Sequence, residues 1–134
     1  MLPYLIGVGL ALAIGVFARL VGLDRDRAFY PTVLIVVASY YGLFAVMGGA
    51  LRELAVESVV IVAFVVLAVL GFKKTPWLVV AGLAAHGIFD FWHGHLIANA
   101  GVPAWWPAWC MSYDVTAPAY LAVLLRSQAG NKAT

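Results

Sequence analysis

Residues 77–96 read WLVVAGLAAHGIFDFWHGHL, a run with no lysine, arginine or glutamate. At about 1.5 Å per helical residue it has the length needed to cross the hydrocarbon core of a bilayer. Yet it holds an aspartate and three histidines: His86, Asp90, His93 and His95. His86, Asp90 and His93 stand at i, i+4 and i+7, which sets them in one stripe about 60° wide on a helix. His95 falls on the opposite face near the end of the run. The stretch therefore reads as a membrane helix with one polar stripe turned toward its neighbours.

The rest of the chain agrees. Its 134 residues are 65% hydrophobic and 10% charged, with a mean hydropathy of +1.00, against roughly 45–50% and 25% in soluble domains. Such a chain cannot cover its surface with polar groups, which excludes a cytosolic enzyme and a disordered segment. Eight lysines and arginines leave no basic stripe, so no nucleic-acid partner is expected. A single cysteine, Cys110, excludes an intrachain disulfide framework and a Cys-based zinc cluster. The expectation is an all-α polytopic membrane protein forming one domain over residues 1–134.

Five apolar stretches of about 20 residues qualify as spans: 2–20, 29–47, 54–72, 77–96 and 108–125. Pro31 and Pro76 suit a first helical turn, where a missing N–H costs nothing, and Thr75 suits an N-cap. Gly48, Gly49 and Gly71 punctuate two exits. Trp77 marks one interface, and Trp105, Trp106 and Trp109 the other. With five spans, Arg19, Arg25, Arg27, Lys73, Lys74, Arg126 and Lys132 fall on one side and only Arg52 on the other. The positive-inside rule then puts the N-terminus outside and the C-terminus in the cytoplasm. The first stretch lacks a basic segment ahead of it and reads as a retained anchor, not a signal peptide. Gly7, Ala11 and Gly15 repeat every fourth residue along it, the spacing of a close helix–helix face.

Most charges lie in the loops; Glu53, Glu57, Asp90 and Asp114 do not. An ionised carboxylate in the hydrocarbon core costs about 2.5–3.5 kcal/mol, so these groups need partners, protons or a metal. Counted inward from the outer side, Glu57 and His93 lie about 7 Å deep, Asp114 about 9 Å and Asp90 about 12 Å, with His86 one turn further. Three helices thus bring acids or imidazoles to one level near the outer leaflet. Ser39, Tyr40 and Tyr41 offer hydroxyls, and Pro118 frees the carbonyl of Asp114 from its helical bond. The loop 98–107, rich in Pro and Trp, reads as an interface anchor or as a lid over the cluster.

Imidazole with carboxylate suits zinc, iron or manganese. The expected ligands are Asp90, His93, Glu57 and Asp114, with His86 as general base or supporting partner. His86, Asp90 and His93 are then the catalytic candidates of a metal-dependent enzyme acting on a lipid-like or isoprenoid molecule that arrives through the bilayer. One alternative is proton or ion conduction, or small-molecule binding, through the same residues. Another is a structural subunit of a membrane complex in which the polar groups are interhelical glue. So small a bundle exposes much of each helix, so a homo-oligomer surrounded by membrane lipids is expected. Cys110 reads as a small core residue.

The segments AAHGIFDFWHGHLIANAGVPAWWPAWC (84–110) and YPTVLIVVASYYGLFAVMGG (30–49) resemble a family of small bacterial multi-pass membrane proteins of unassigned function. That resemblance implies the bacterial inner membrane and a polytopic fold. A weaker similarity is to intramembrane metal hydrolases of the alkaline ceramidase and progestin-receptor type. Those proteins hold zinc with histidines and an acid at one membrane face and cleave lipid amides.

Overall fold

The computed structural model describes residues 1–132, so the last two positions of the expected 1–134 domain lie outside the described residues. Five helices follow one another: α1 (Leu2–Val21), α2 (Phe29–Met47), α3 (Leu51–Lys73), α4 (Pro76–Leu96) and α5 (Trp106–Lys132). There is no strand among the described residues. Each helix covers one expected stretch, with ends that differ by a few residues. The largest difference is in α5, which begins at Trp106 and runs on to Lys132, so Trp106 belongs to a helix and not to the loop before it.

Local chemistry sets the ends. The Thr75 Oγ1 accepts a hydrogen bond from the Trp77 N–H, and Pro76 occupies the first helical position of α4. The α1 helix stops at Gly22, whose φ of 83° is open to glycine at little cost. Asp26 Oδ1 accepts from the Ala28 N–H just ahead of α2.

Helix α4 is central. It packs chiefly on α5 and also on α3 and α2, while α2 pairs with α3, and α1 packs on α5. Its buried residues are Val79, Gly82, Leu83, His86, Gly87, Asp90 and His93, a single stripe at helical spacing. The buried residues of α1 are Gly7, Ala11, Gly15 and Ala18, so the small-residue face read from the sequence is the face against α5. A Cβ at Gly7 would overlap Ser112 Oγ and the Trp109 carbonyl oxygen, which fixes how near α1 can stand.

The distribution of polarity is the reverse of a soluble bundle. Glu57, His86, Asp90, His93, Asn99, Ser112 and Asp114 are buried, whereas Leu5, Phe17, Val59, Val62, Ile88, Phe91 and many other large apolar side chains face outward. Helices α1, α2 and α3 are long and apolar enough to cross a membrane. The buried His86, Asp90, His93 and Asp114 lower the hydropathy of α4 and α5, whose outer faces carry Ile88, Phe91 and Val115 together with the exposed His95.

The α1–α5 contact gives a paired prediction. Gly7→Val should destabilise the protein by about 1–3 kcal/mol through overpacking against backbone. Gly9→Ala, where a Cβ meets open space, should stay within about 0.5 kcal/mol of the parent. Reversible unfolding in mixed detergent micelles reads both; equal effects would contradict the packing described.

Candidate functional site

Two polar groups lie inside the bundle, joined by one tyrosine. The first sits between α4 and α5. His86 Nδ1 is 2.6 Å from Asp114 Oδ2 and 3.6 Å from Asp90 Oδ2. The Cys110 thiol donates to Asp114 Oδ2 at 3.4 Å. One ligand atom from each of His86, Asp90, Cys110 and Asp114 lies within 4.8 Å of the others, and all four residues are buried. Each helix contributes a pair at i, i+4 spacing, His86 with Asp90 and Cys110 with Asp114, so two facing helical turns are enough to assemble the set. Gly87 lets the turns approach: a Cβ there would stand 3.4 Å from that of Asp114.

The second group joins α3, α4 and the loop before α5. His93 Nε2 is 2.7 Å from Glu57 Oε1. The Asn99 side-chain amide donates to the same carboxylate oxygen at 3.1 Å and to the Tyr41 carbonyl at 3.0 Å, while Asn99 Oδ1 accepts from the Gly101 N–H. Asn99 therefore ties α2, α3 and the 98–107 loop to the acid. Tyr41 connects the two groups: its hydroxyl donates to Asp90 Oδ1 at 2.5 Å, and its ring stacks on His93 with centroids 3.8 Å apart. Phe64 and Phe89 pack edge-on against His86 and His93 respectively and close the groups off from the apolar exterior.

The structure divides the ligand set expected from the sequence. Glu57, Asp90, His93 and Asp114 are all buried, at 0%, 1%, 2% and 0% exposure, but they do not form one shell. Asp90 and Asp114 stand together with His86 and Cys110, and His93 turns instead to Glu57. The cause is axial: His93 lies nearly two turns beyond His86 on α4, about 10 Å along the helix, so α5 meets His86 and α3 meets His93. His86, read as a supporting base, is at the centre of the first group. Cys110, set aside as a core residue, is a member of it. Of the expected hydroxyls only that of Tyr41 takes part; Ser39 bonds the Ile35 carbonyl on its own helix and Tyr40 packs on Trp106. Glu53 is half-buried and His95 exposed beside Trp92.

Chemically the first group is short of positive charge. Two carboxylates face one imidazole, and His86 Nε2, Asp90 Oδ2 and Asp114 Oδ1 are buried with no hydrogen-bond partner among the described residues. Unpartnered buried polar atoms are expensive; a dication between the two helices would take Asp90 Oδ2, while His86 Nε2 and Asp114 Oδ1 lie on the far side of the atoms such an ion would meet. Tetrahedral zinc with ligand bonds of about 2.0–2.3 Å separates its ligand atoms by about 3.3–3.8 Å. The 3.4 and 3.6 Å spacings meet that requirement, the His86–Asp114 pair would need to open by roughly 0.7 Å, and the set as a whole, whose ligand atoms spread over up to 4.8 Å, would need to draw in by about 1 Å. The donor set thus fits a divalent ion of the zinc kind, with one imidazole, one thiolate and two carboxylates.

A cavity of about 400 Å³ is lined by His93 and Asn99 together with Gly94, Ile97, Val102 and Pro107. It reaches the second group and not the first. The loop 98–107 forms much of its wall.

No family model matches the chain, and neither a curated protein nor a solved structure matches it.

Two measurements check the network. The Tyr41→Phe change leaves Asp90 Oδ1 without its donor and should cost about 1–3 kcal/mol in unfolding. A double-mutant cycle between His93→Ala and Glu57→Ala should show coupling of about 0.5–3 kcal/mol. Strict additivity would contradict the contact.

Proposed function

We propose that this protein is a membrane-embedded metal-dependent enzyme whose ion is held by His86, Asp90, Cys110 and Asp114. Its His93–Glu57 pair would exchange a proton with a small lipophilic molecule of lipid-like or isoprenoid character. The observation that carries the reading is the convergence of four ligand atoms of three chemical kinds, all buried and three of the residues with unpartnered atoms. A bound dication supplies the missing positive charge and holds Asp90 and Asp114 ionised.

The remaining steps belong to side chains. Tyr41, donating to Asp90 and stacked on His93, orients the imidazole. Glu57 accepts from His93 Nε2, which fixes the tautomer and stabilises the imidazolium when His93 takes up a proton. The cavity beside His93 and Asn99 admits the substrate from the outer half of the bilayer, and the apolar packing around it excludes water. In this arrangement the expected catalytic roles of His86 and Asp90 become metal-holding, and His93 remains the acid–base residue. Of the metals expected, zinc suits the thiolate best.

We further propose that all five helices cross the inner membrane with the N-terminus outside. The arginines and lysines support this: Arg19, Arg25 and Arg27 line a cavity together with residues from the start of α4 and the end of α5, so the basic ends gather at one end of the bundle and Arg52 stands at the other. A second reading, proton conduction, draws on the same side chains: His93 bonds Glu57, Tyr41 bonds Asp90 and His86 bonds Asp114, and because Tyr41 meets His93 only by ring stacking and His86 stands 3.6 Å from Asp90, it requires bridging water at those two steps.

Elemental analysis of detergent-purified protein tests the metal. About one zinc per chain is expected in the parent, and less than about one fifth of that in His86→Ala and in Asp114→Asn, the ion being lost with its ligands. A folded parent that stays metal-free after zinc, iron and manganese loading, or variants that keep the metal, would contradict the reading. Proteoliposomes separate the alternatives: conduction requires a pH-driven proton flux abolished by His93→Ala, and the enzyme reading requires none. For topology, thiols introduced as Arg52→Cys and Lys74→Cys in a Cys110→Ser background should react with an impermeant reagent in intact cells at position 52 only.

A further inference from the structure

Another cavity lies at the other end of the bundle, remote from the acids and imidazoles. It measures about 480 Å³ and is enclosed by the turn after α1, the first turns of α2 and α4, and the last turns of α5. Its walls have two chemistries. Leu121, Leu124, Leu125 and Val79 form an apolar side, and Arg19, Arg25 and Arg27 form a basic rim.

Charge and hydrogen bonding within it are left incomplete. Arg19 is taken by Asp24 at 3.5 Å, which leaves Arg25 and Arg27 as the cations of the lining without an acidic partner among the described residues. Arg27 is held in the left-handed region at φ 67°, a conformation that a non-glycine residue seldom adopts, and Arg25 folds back over Gly22. Asp26, the other acid of the turn, is occupied at the Ala28 N–H. Deeper in the cavity, the Asp24 side chain is 5% exposed with Oδ1 buried and unpartnered, and the Tyr30 hydroxyl is likewise buried without a partner among the described residues. An occupant that completes this site must offer an anion to two arginines, hydroxyl donors to a carboxylate and a phenol, and an apolar chain to the leucines.

We infer that this cavity binds an anionic phospholipid whose headgroup carries free hydroxyls, of the phosphoglycerol class. The phosphate lies between Arg25 and Arg27, the headgroup hydroxyls donate to Asp24 Oδ1 and meet the Tyr30 hydroxyl, and the first part of an acyl chain runs along Leu121 and Leu125. Basic pockets between helices at the cytoplasmic surface hold anionic headgroups in this way, and arginine's fork suits phosphate oxygens. The site shares only the membrane setting with the proposed function and is independent of the metal group.

Full-length protein purified in a neutral detergent, titrated with short-chain lipids and followed by native mass spectrometry and by melting temperature, provides the test. Phosphatidylglycerol should bind at least tenfold more tightly than phosphatidylcholine and severalfold more tightly than phosphatidic acid, which has the charge without the hydroxyls. Inorganic phosphate and glycerol phosphate should not compete at equal concentration. The double change Arg25→Gln with Arg27→Gln, at exposed side chains, should leave the lipid-free melting temperature unchanged and weaken phosphatidylglycerol tenfold or more; Tyr30→Phe should weaken it severalfold. Equal binding of phosphatidylglycerol and phosphatidylcholine, parity with phosphatidic acid, competition by the soluble phosphates, or full affinity in the arginine variant would each overturn the assignment.

Discussion

The contact between His86 and Asp114 governs the structure around it. It brings two ionisable groups from neighbouring helices to 2.6 Å with both side chains shut off from the surface. Neither group is tolerable there alone, because an unpaired charge or an unmet polar atom in an apolar interior costs several times what a hydrogen bond normally returns. The α4–α5 interface is therefore set by this pair, by Asp90 and Cys110 one turn along each helix, and by Gly87, which leaves room for the approach. Once α4 is oriented so, His93 faces α3, and its partner Glu57 and the clamp Asn99 follow from the same constraint.

Apolar surface plays a different part here from the one it plays in a soluble protein. Leu5, Val59, Val62, Phe91 and their neighbours are outside, where a bilayer leaves them at no disadvantage. Association of the helices then draws on close packing and on polar contacts. The Gly7–Ala11–Gly15–Ala18 face supplies the first for α1; the two polar groups supply the second for α2 through α5. The buried acids and imidazoles accordingly lie in α3, α4 and α5, and α1, which packs chiefly on α5, has none.

Much of this was legible in the sequence, and the parts that were not have a common reason. The five stretches, the inward stripe of α4 and the packing face of α1 follow from spacing along a single helix, which the chain carries explicitly. The pairing of groups across helices depends on how far each helix slides past the next, which no local pattern encodes. Axial counting put Glu57, Asp90, His93 and Asp114 within about 5 Å of a common depth, and that difference was enough to separate His93 from Asp114. A usable signal for Cys110 was present: it stands four residues before Asp114, as His86 stands four before Asp90, and two such pairs on adjacent helices make a four-membered site. Asn99 had no comparable mark, since its role depends on the path of the 98–107 loop. The polar content of α4 and α5, read as candidate chemistry, also lowers the hydropathy of those two helices, whereas α1, α2 and α3 are long and apolar enough to cross a membrane.

X-ray absorption at the metal edge of zinc-loaded protein in lipid nanodiscs addresses the core of this account most directly, since it reports the atoms around the ion and needs no turnover. The account predicts one sulfur at about 2.3 Å and three nitrogen or oxygen neighbours at about 2.0–2.2 Å, with the sulfur lost in Cys110→Ser. A shell of nitrogen and oxygen alone in the parent protein would contradict it.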